Sequence, residues 1–181
     1  MQSIIYKGPG KFAIEDRPKP IIKKADDVMI KVLGVCICGT DINIFATPQK
    51  HPSRPGIIFG HEFCGQVVEV GEAVTSLKPG DKVIVDPHGP CGYCDACRAG
   101  LPEMCKNLYL DEPGLEGQAN AMGVFKDGGL TSYTLVPEKF AYKIAADTPA
   151  ELMALAEPLA CCGYSLEKLN IHVGDTVCIL G

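Results

Sequence analysis

Four cysteines near the middle of the chain restrict the possible fold more than any other feature. Cys91, Cys94, Cys97 and Cys105 form a C-x2-C-x2-C-x7-C array, which places four thiols within fifteen residues. Four thiolates can close a tetrahedral shell around zinc, and a shell without an open position is typical of a structural site. In zinc-finger peptides such binding contributes on the order of 10 kcal/mol to local order.

Two other uses of this array fit its spacing less well. An iron–sulfur cluster also takes cysteine ligands, but the ferredoxin run places its fourth cysteine differently and follows it with proline. A redox-active C-x-x-C pair would not need four cysteines. We therefore favour a structural zinc in a cysteine lobe that covers residues 88–106.

A second group combines a thiol, an imidazole and a carboxylate. Cys38 follows an apolar run that ends at Val35, and His61 and Glu62 follow the apolar run 57–59. These are side chains that divalent zinc accepts in an open catalytic site, where one position is left for water or substrate. A histidine next to a glutamate is more often structural, so the pair alone would be weak evidence.

Charge and composition exclude several classes of protein. The 181 residues suffice for one large domain or slightly more, and the formal net charge of -5 with no block of Lys or Arg argues against nucleic acid. The longest apolar candidate, 152–164, is interrupted by Glu157, Pro158 and Gly163, so no membrane span is expected. The first residues lack the pattern of a signal peptide. We expect a cytoplasmic, reducing environment.

Ten cysteines in such an environment favour metal binding over a disulfide framework. The cysteines without regular spacing are expected to be buried thiols, and redox activity is the alternative for the neighbouring pairs. These cysteines are Cys36, Cys64, Cys161, Cys162 and Cys178. The histidines outside the second group are expected at the surface or in turns. They are His51, His88 and His172.

Short alternating segments between Gly and Pro turns predict a mainly β protein. We expect an opening hairpin around Gly8-Pro9-Gly10, then longer strands in a β-barrel or sandwich. The predicted strands cover residues 3–6, 11–15, 27–35, 66–70, 82–86, 130–136, 140–144 and 176–181. The last of these is apolar and is expected to be buried.

The remaining segments predict helices and one long loop. Thr40 or Asp41 is expected to cap a short helix that ends near Phe45. Residues 106–127 are polar and glycine-rich, which predicts a surface loop rather than a flap over the substrate. Residues 148–151 have the sequence of a capping box with proline at the first helical position. Pro158 is expected to kink or restart that helix, which continues over 159–169.

Four motifs occur in an order that resembles one enzyme family. They are Cys38-Gly39-Thr40-Asp41, Gly60-His61-Glu62, the cysteine lobe, and Glu157-Pro158-Leu159. This order resembles the medium-chain zinc-dependent alcohol dehydrogenases, in particular the sorbitol/polyol or threonine dehydrogenase branch. The resemblance implies a GroES-like β-barrel catalytic domain over residues 1–157. It also implies that 158–181 form a linking helix and the first strand of a truncated dinucleotide-binding Rossmann domain.

The resemblance implies roles for individual residues in the open site. Cys38 and His61 would bind the catalytic zinc, with Glu62 and Glu157 supplying the remaining carboxylate, one directly and the other directly or through water. Asp41 would hold His61 through its second ring N–H. Thr40 would pass the proton of the alcohol outward. In these families a histidine is common at the position of Asn43 and a tyrosine or tryptophan at that of Phe45, so this chain departs from the pattern twice.

The implied function is that of a zinc-dependent NAD(P) oxidoreductase with two zinc ions per chain. It would oxidise a secondary alcohol of a polyol or similar small polar alcohol by hydride transfer from a zinc-bound alkoxide, and a glutamate at position 157 marks the polyol branch. The full-length enzyme is expected to be a homo-oligomer. No cofactor-binding residue is expected here, because Gly181 would only begin the glycine-rich turn, so these residues alone should be inactive. The alternative is a zinc-stabilised, non-catalytic GroES-like binding module.

Overall fold

A computed structural model describes residues 1–110, 113–169 and 171–180. The described part is mainly β, as the sequence predicts. Its strands are β1 (Gln2–Gly8), β2 (Lys11–Asp16), β3 (Asp27–Cys36), β4 (Glu62–Val70), β5 (Lys82–Val85), β6 (Tyr133–Pro137) and β7 (Ala141–Lys143). Its α-helices are α1 (Gly39–Phe45), α2 (Asp95–Arg98), α3 (Ala150–Ala154) and α4 (Ala156–Lys168). Short 3-10 turns cover Pro102–Met104, Lys106–Leu108 and Glu138–Phe140.

The first two strands form the predicted hairpin. β1 and β2 are antiparallel, with Ile4 opposite Ile14 and Tyr6 opposite Phe12. Isolated bridges from β1 to Ile58 and to Thr131 attach the hairpin to the rest of the domain. The hairpin is therefore part of the main fold.

The other five strands form one antiparallel sheet in the order β6-β3-β4-β5-β7. Although β6 and β7 are its two outer strands, only the turn Glu138–Phe140 separates them along the chain. The outer strands of a flat five-stranded sheet lie about 19 Å apart, whereas the chain from Pro137 to Ala141 spans at most about 14 Å. The sheet must therefore curl so that its edges approach each other. No hydrogen-bonded pairing between β6 and β7 closes the described strands into a complete barrel.

The concave side of this sheet holds the main hydrophobic core. Val28, Ile30, Val67, Val83 and Val136 are each at most 1% exposed and belong to one cluster. They come from four different strands, and Val28 and Ile30 have the two-residue spacing that places side chains on the same face of a strand. Burial of these β-branched side chains stabilises the curled sheet.

The prediction of a surface loop over 106–127 is wrong for its second half. Ala121, Val124 and Phe125 are each at most 4% exposed and pack in a second core with Tyr6 and Leu110. The apolar residues in this segment are few and irregularly spaced, so they give no periodic signal, yet the segment folds back under the hairpin. Glu116 and Gly117 are exposed, in agreement with the prediction.

The helices near the end of the described chain differ in detail from the predictions. α3 begins at Ala150 with Pro149 as its N-cap, and no side chain bonds to its free N–H groups, so the predicted capping box does not form. Proline fits the N-cap because its extended backbone precedes the first helical turn. α4 restarts at Ala156, and Pro158 lies in its first turn, where a missing N–H costs nothing. The helix therefore does restart, but at Ala156, two residues before Pro158.

The predicted strand over 176–181 is not found in its described part. Residues 176–180 have no strand assignment, and Ile179 and Leu180 are about 90% exposed, at 88% and 91%. A buried strand needs neighbouring strands on both sides, and no described strand lies beside this segment. Gly181 lies outside the described residues. Within those residues, the structure contains no helix that combines the length and apolar character needed to cross a membrane.

The cysteines without regular spacing are only partly buried. Cys64 is fully buried and Cys36 is intermediate, which agrees with the prediction of small apolar packing residues. Cys161, Cys162 and Cys178 are exposed, so the prediction is wrong for them. The first two lie on α4, none of whose residues is buried, and the third lies in the unpaired segment after it.

Candidate metal centres

Cys38 lies where strand β3 gives way to helix α1. It is the N-cap residue of α1, and the carboxylate Oδ2 of Asp41 accepts a hydrogen bond of 2.8 Å from the N–H of Cys38. The predicted helix therefore forms, but its N-cap is Cys38 rather than Thr40 or Asp41. The acidic side chain reaches back from the third helical position, as in a capping box. This bond fixes the backbone that carries the Cys38 thiol.

His61 and Glu62 enter the same region at the start of strand β4. The pairing of β3 with β4 sets Cys36 opposite Glu62, so the two strands deliver both segments to one end of the sheet. Gly60 turns the chain into β4 with φ of +89°, and a Cβ there would lie 2.7 Å from Leu130 Cγ. Glycine is needed at this position because other residues rarely adopt such a backbone.

Cys38, His61 and Glu62 converge on a single point. One ligand atom from each lies within 4.8 Å of the other two. His61 and Glu62 are 4% and 5% exposed, and no hydrogen bond reaches the carboxylate of Glu62 within the described residues. The carboxylate faces the cavity, and a charge with so little access to solvent is poorly stabilised. A divalent cation would neutralise it, so the donor set fits a metal ion.

Asp41 is the partner of His61 on the far side of the ring. Asp41 Oδ1 lies 3.2 Å from His61 Nδ1, and neither atom makes a well-aligned hydrogen bond in the described part of the chain. A carboxylate at Nδ1 leaves Nε2 available for a metal ion. Burial lowers the pKa of His61, but the bond to Asp41 and the negative charges of Asp41, Glu157 and Glu62 outweigh it, and the pKa is raised.

Glu157 and Thr40 line the cavity onto which these groups open. The cavity has a volume of about 400 Å³. Glu157 comes from the first turn of α4 and stands outside the group that lies within 4.8 Å. Burial raises the pKa of Glu157, and the charges of Glu62 and Asp86 add to this, against the opposing effect of His61. All six residues that the sequence assigns to the open site therefore lie together, and their roles remain predictions.

Among the lining residues that the sequence did not assign to this cavity, three carry an imidazole or a thiol. They are His51, His88 and Cys161. The expectation that the two histidines lie at the surface or in turns is therefore incomplete, because both are only partly exposed and face the cavity. Burial lowers the pKa of His88, and the charge of His61 adds to this while Asp86 opposes it. Asn43 and Phe45 are absent from the cavity wall, so neither departure from the family pattern touches it.

Another part of the wall comes from the segment expected to be a surface loop. Gln118, Ala119, Ala121 and Val124 contribute to it. Nothing in the spacing of these residues points to the site. The position of Cys161 had one available signal, since it follows Glu157 by four residues and both would lie on one helix face.

The four cysteines of the lobe also converge. Their sulfur atoms lie within 4.8 Å of one another, with 3.9 Å from Cys91 to Cys97 and 3.5 Å from Cys94 to Cys97. A tetrahedron with Zn–S bonds of about 2.3 Å has sulfur atoms about 3.8 Å apart. A disulfide bond is about 2.05 Å long. The lobe therefore has the dimensions of a four-sulfur metal site.

Hydrogen bonds prepare the lobe for thiolates. The N–H of Cys91 lies 3.4 Å from the sulfur of Cys105, and the N–H of Cys94 lies 3.4 Å from the sulfur of Cys91. Burial opposes ionisation of Cys91, but such bonds outweigh it and lower the pKa of this thiol. Burial and the neighbouring cysteines raise the pKa of Cys97. Four thiolates at this spacing therefore need a cation.

The curled sheet and its two ligand clusters define a GroES-like domain with two candidate metal centres. The chain belongs to the alcohol dehydrogenase GroES-like domain family, whose model matches residues 24–146. The family resemblance seen in the sequence is thereby confirmed. The match includes Cys38, His61, Glu62 and the cysteine lobe, and stops before Glu157.

Individual relatives include dehydrogenases and reductases of small hydroxylated compounds. The chain is 37% identical over 86% of its length to 42% of an L-threonine 3-dehydrogenase from Caldanaerobacter subterraneus subsp. tengcongensis. It is 33% identical over 99% of its length to 48% of a probable D-xylulose reductase A from Arthroderma otae. The chain thus spans about half the length of the curated relatives it matches.

A solved structure supports the same assignment. A protein assigned as a zinc-binding dehydrogenase from Sinorhizobium meliloti 1021, crystallised with NADP, superimposes with a TM-score of 0.81 at 34% identity. The match covers 97% of this chain and 47% of that protein. The GroES-like fold class is therefore shown by both sequence and structure.

Proposed function

We propose that this chain is the catalytic domain of a zinc-dependent NAD(P) oxidoreductase that oxidises a secondary alcohol of a polyol or similar polar alcohol. The family supports this reading, as do relatives described as a threonine dehydrogenase and a xylulose reductase. The single observation that carries it is the convergence of Cys38, His61 and the buried carboxylate of Glu62 within 4.8 Å.

The residues of this chain would hold a zinc ion through Cys38, His61 and one of two carboxylates. A thiolate, a neutral imidazole and one carboxylate together balance the charge of a divalent cation. When bound, zinc would act as a Lewis acid toward the oxygen of the alcohol. Glu62 is the carboxylate within the converged group, so we assign it the direct role. Glu157 stands further off and is the carboxylate that water or substrate would displace.

Other residues would position the ligands and move the proton. Asp41 would hold the His61 ring and the Cys38 backbone in one arrangement, since its two oxygens contact both. The hydroxyl of Thr40 lines the cavity and would accept the proton of the alcohol. His51 also lines the cavity and has an imidazole that could pass a proton, whereas Asn43 has neither property, so we assign the outer end of the proton path to His51.

The lobe would hold a second zinc with a structural role. Cys91, Cys94, Cys97 and Cys105 fill all four positions of a tetrahedral ion, which leaves none for substrate. We further propose that the catalytic domain ends near Glu157. In the whole protein, the dinucleotide would come from a domain that follows α4.

Metal content tests this proposal and separates it from a non-catalytic binding module. We expect two zinc ions per chain by elemental analysis, one of which a chelator removes first. Cys38→Ser and His61→Ala should each hold one ion, and Cys178→Ser, at an exposed position outside both ligand clusters, should hold two. If the unmodified chain binds only the ion of the lobe, and Cys38→Ser has the same metal content, the non-catalytic binding module would be favoured.

The polyol preference is tested on the cobalt-loaded chain without a dinucleotide. Cobalt(II) in the exchangeable site gives visible bands that respond to its ligands. We expect sorbitol to shift these bands at lower concentration than 1-butanol, because the cavity presents carboxylate and imidazole groups to neighbouring hydroxyls. An equal response to both alcohols would contradict a polyol substrate but leave the metal site intact.

A further inference from the structure

Helix α4 presents two possible metal ligands to the cavity. Glu157 and Cys161 both line it, and they are four residues apart on the helix. Four residues advance a helix by about one turn, so both side chains lie on the same face. Glu157 already has a place in the proposed site, whereas Cys161 has none.

One carboxylate that faces the cavity has no hydrogen-bond partner among the described residues. The carboxylate of Glu62 is 5% exposed, faces the cavity and receives no hydrogen bond from the described residues. Cys38, His61 and Glu62 form three corners of a coordination shell, and zinc takes four ligands. These three residues open on the cavity, whose wall includes the thiol and the carboxylate of α4, although both stand outside the group that lies within 4.8 Å.

We propose that Cys161 is a second sulfur ligand of the exchangeable metal ion, which takes the fourth position when neither substrate nor Glu157 occupies it. The proposal rests on the proposed function, because it requires a metal ion at Cys38, His61 and Glu62. Zinc binds the sulfur as thiolate, so the thiol loses its proton to solvent when the bond forms. The site would then alternate between one and two sulfur ligands.

Two features of the environment of Cys161 favour a role as a metal ligand over that of an ordinary surface thiol. Burial raises the pKa of the Cys161 thiol, and the charges of Glu157, Cys162, Cys38 and Glu62 raise it further. The thiol thus faces a concentration of negative charge, which a cation would reverse. Its neighbour Cys162 is also exposed but is absent from the cavity wall, because it lies about 100° further around the helix.

Cobalt substitution of the exchangeable ion tests the proposal, with zinc left in the lobe. The sulfur-to-cobalt charge-transfer absorbance of this ion should fall by about half in Cys161→Ser, because one of two sulfur ligands is lost. Cys162→Ser should match the unmodified chain. In Glu157→Gln the absorbance should be retained or rise, since the competing carboxylate is removed. Equal absorbance in the unmodified chain, Cys161→Ser and Cys162→Ser would overturn the proposal.

Alkylation provides a readout that does not depend on the spectrum. Iodoacetamide labelling mapped by mass spectrometry should slow at Cys161 when the exchangeable ion is present, while Cys162 reacts at an unchanged rate. Equal rates at Cys161 with and without the ion would contradict the proposal while leaving the proposed function standing. If no exchangeable ion binds to the unmodified chain, the proposed function fails, and this inference fails with it.

Discussion

Asp41 and His61 form a buried pair in which Oδ1 lies 3.2 Å from Nδ1. Both side chains are at most 5% exposed. The second oxygen of Asp41 accepts the N–H of Cys38, so one carboxylate orders both the imidazole and the thiol. The open site is thus held in shape by a residue that does not itself face the proposed ion.

The substitution Asp41→Asn tests this arrangement. The amide is nearly the same size as the carboxylate but has no charge, and its nitrogen cannot accept the N–H of His61. We expect the affinity of the exchangeable ion to fall by about 10- to 100-fold, as for other residues that orient a metal-binding histidine. Competition with a chelating dye measures this affinity.

Asp147→Asn is the matched control, because Asp147 is exposed and does not line the cavity. It should leave the affinity unchanged. If Asp41→Asn binds the ion as tightly as the control does, the contact at 3.2 Å has no part in ordering the ligands.

Gly128→Ala should destabilise the fold beneath the site. A Cβ at Gly128 would lie 2.2 Å from the carbonyl oxygen of Gly60 and 2.4 Å from Gly123 Cα. These are backbone atoms, and the first belongs to the residue before His61, so it cannot move without shifting the candidate ligand. We expect a loss of about 1–3 kcal/mol, measured by urea denaturation, together with weaker binding of the exchangeable ion.

Gly163→Ala is the matched control, and we do not expect it to destabilise the fold. Gly163 lies inside α4, is exposed, and a Cβ there would meet nothing within 4 Å. Alanine favours a helix by about 0.5–1 kcal/mol over glycine, so stability should stay the same or rise. A similar loss for both variants would show that the close packing around Gly60 does not determine the effect.

Phe125→Ala tests whether the second half of 106–127 belongs to the core. Phe125 is 2% exposed and packs among the apolar residues under the hairpin. Truncating a buried phenylalanine costs about 3–5 kcal/mol. Phe12→Ala, at a side chain that is 57% exposed, should cost far less. Equal unfolding midpoints in urea for the two variants would indicate that this segment is not part of the core.

Glu138 gives the fold a defined dependence on acid. Its Oε1 accepts hydrogen bonds from the N–H of Ser76 at 2.6 Å, the hydroxyl of Ser76 at 2.7 Å and the N–H of Thr75 at 2.8 Å. The N–H of Ser76 is the largest cause, and together these donors lower the pKa of Glu138 below its ordinary 4.5. The contribution to stability is therefore present above about pH 4.5 and is lost as the pH falls through the folded-state pKa.

The variant Glu138→Gln keeps an acceptor oxygen but removes the titration. It should be less stable than the unmodified chain at pH 7, and the difference should vanish at low pH. Thermal unfolding between pH 7 and pH 3 measures this convergence. Glu72→Gln, at an exposed position near the same turn, should follow the unmodified chain at every pH. A constant gap for Glu138→Gln would mean that the carboxylate charge does not matter.

The sequence was most informative where a local rule applies. The alternation of apolar residues predicted β3, and the spacing of four cysteines predicted the lobe, because each signal lies within a few residues. The start of β4 was missed by four residues, since Glu62 and Phe63 break the expected alternation. The predicted N-cap of α3 was wrong by one position, because the capping residue is Pro149 and not Thr148.

The wall of the cavity could not be predicted, because it depends on distant segments meeting. His88 follows β5 and Ala121 lies in an irregular segment, and only the curl of the sheet brings both to the ligands. The family resemblance pointed to the candidate ligands without these contacts. The apolar pattern over 176–180 predicted a buried strand. A buried strand also requires neighbouring strands, and none of the described strands pairs with this segment.

Ala121 and Val124 line the cavity and also belong to the core beneath the hairpin. Natural variation that enlarged either side chain to suit a new substrate would also disturb the packing that keeps the domain folded. Gln118 and Ala119 share the wall without belonging to that core. Divergence in substrate choice among descendants of this chain should therefore accumulate first at these two positions.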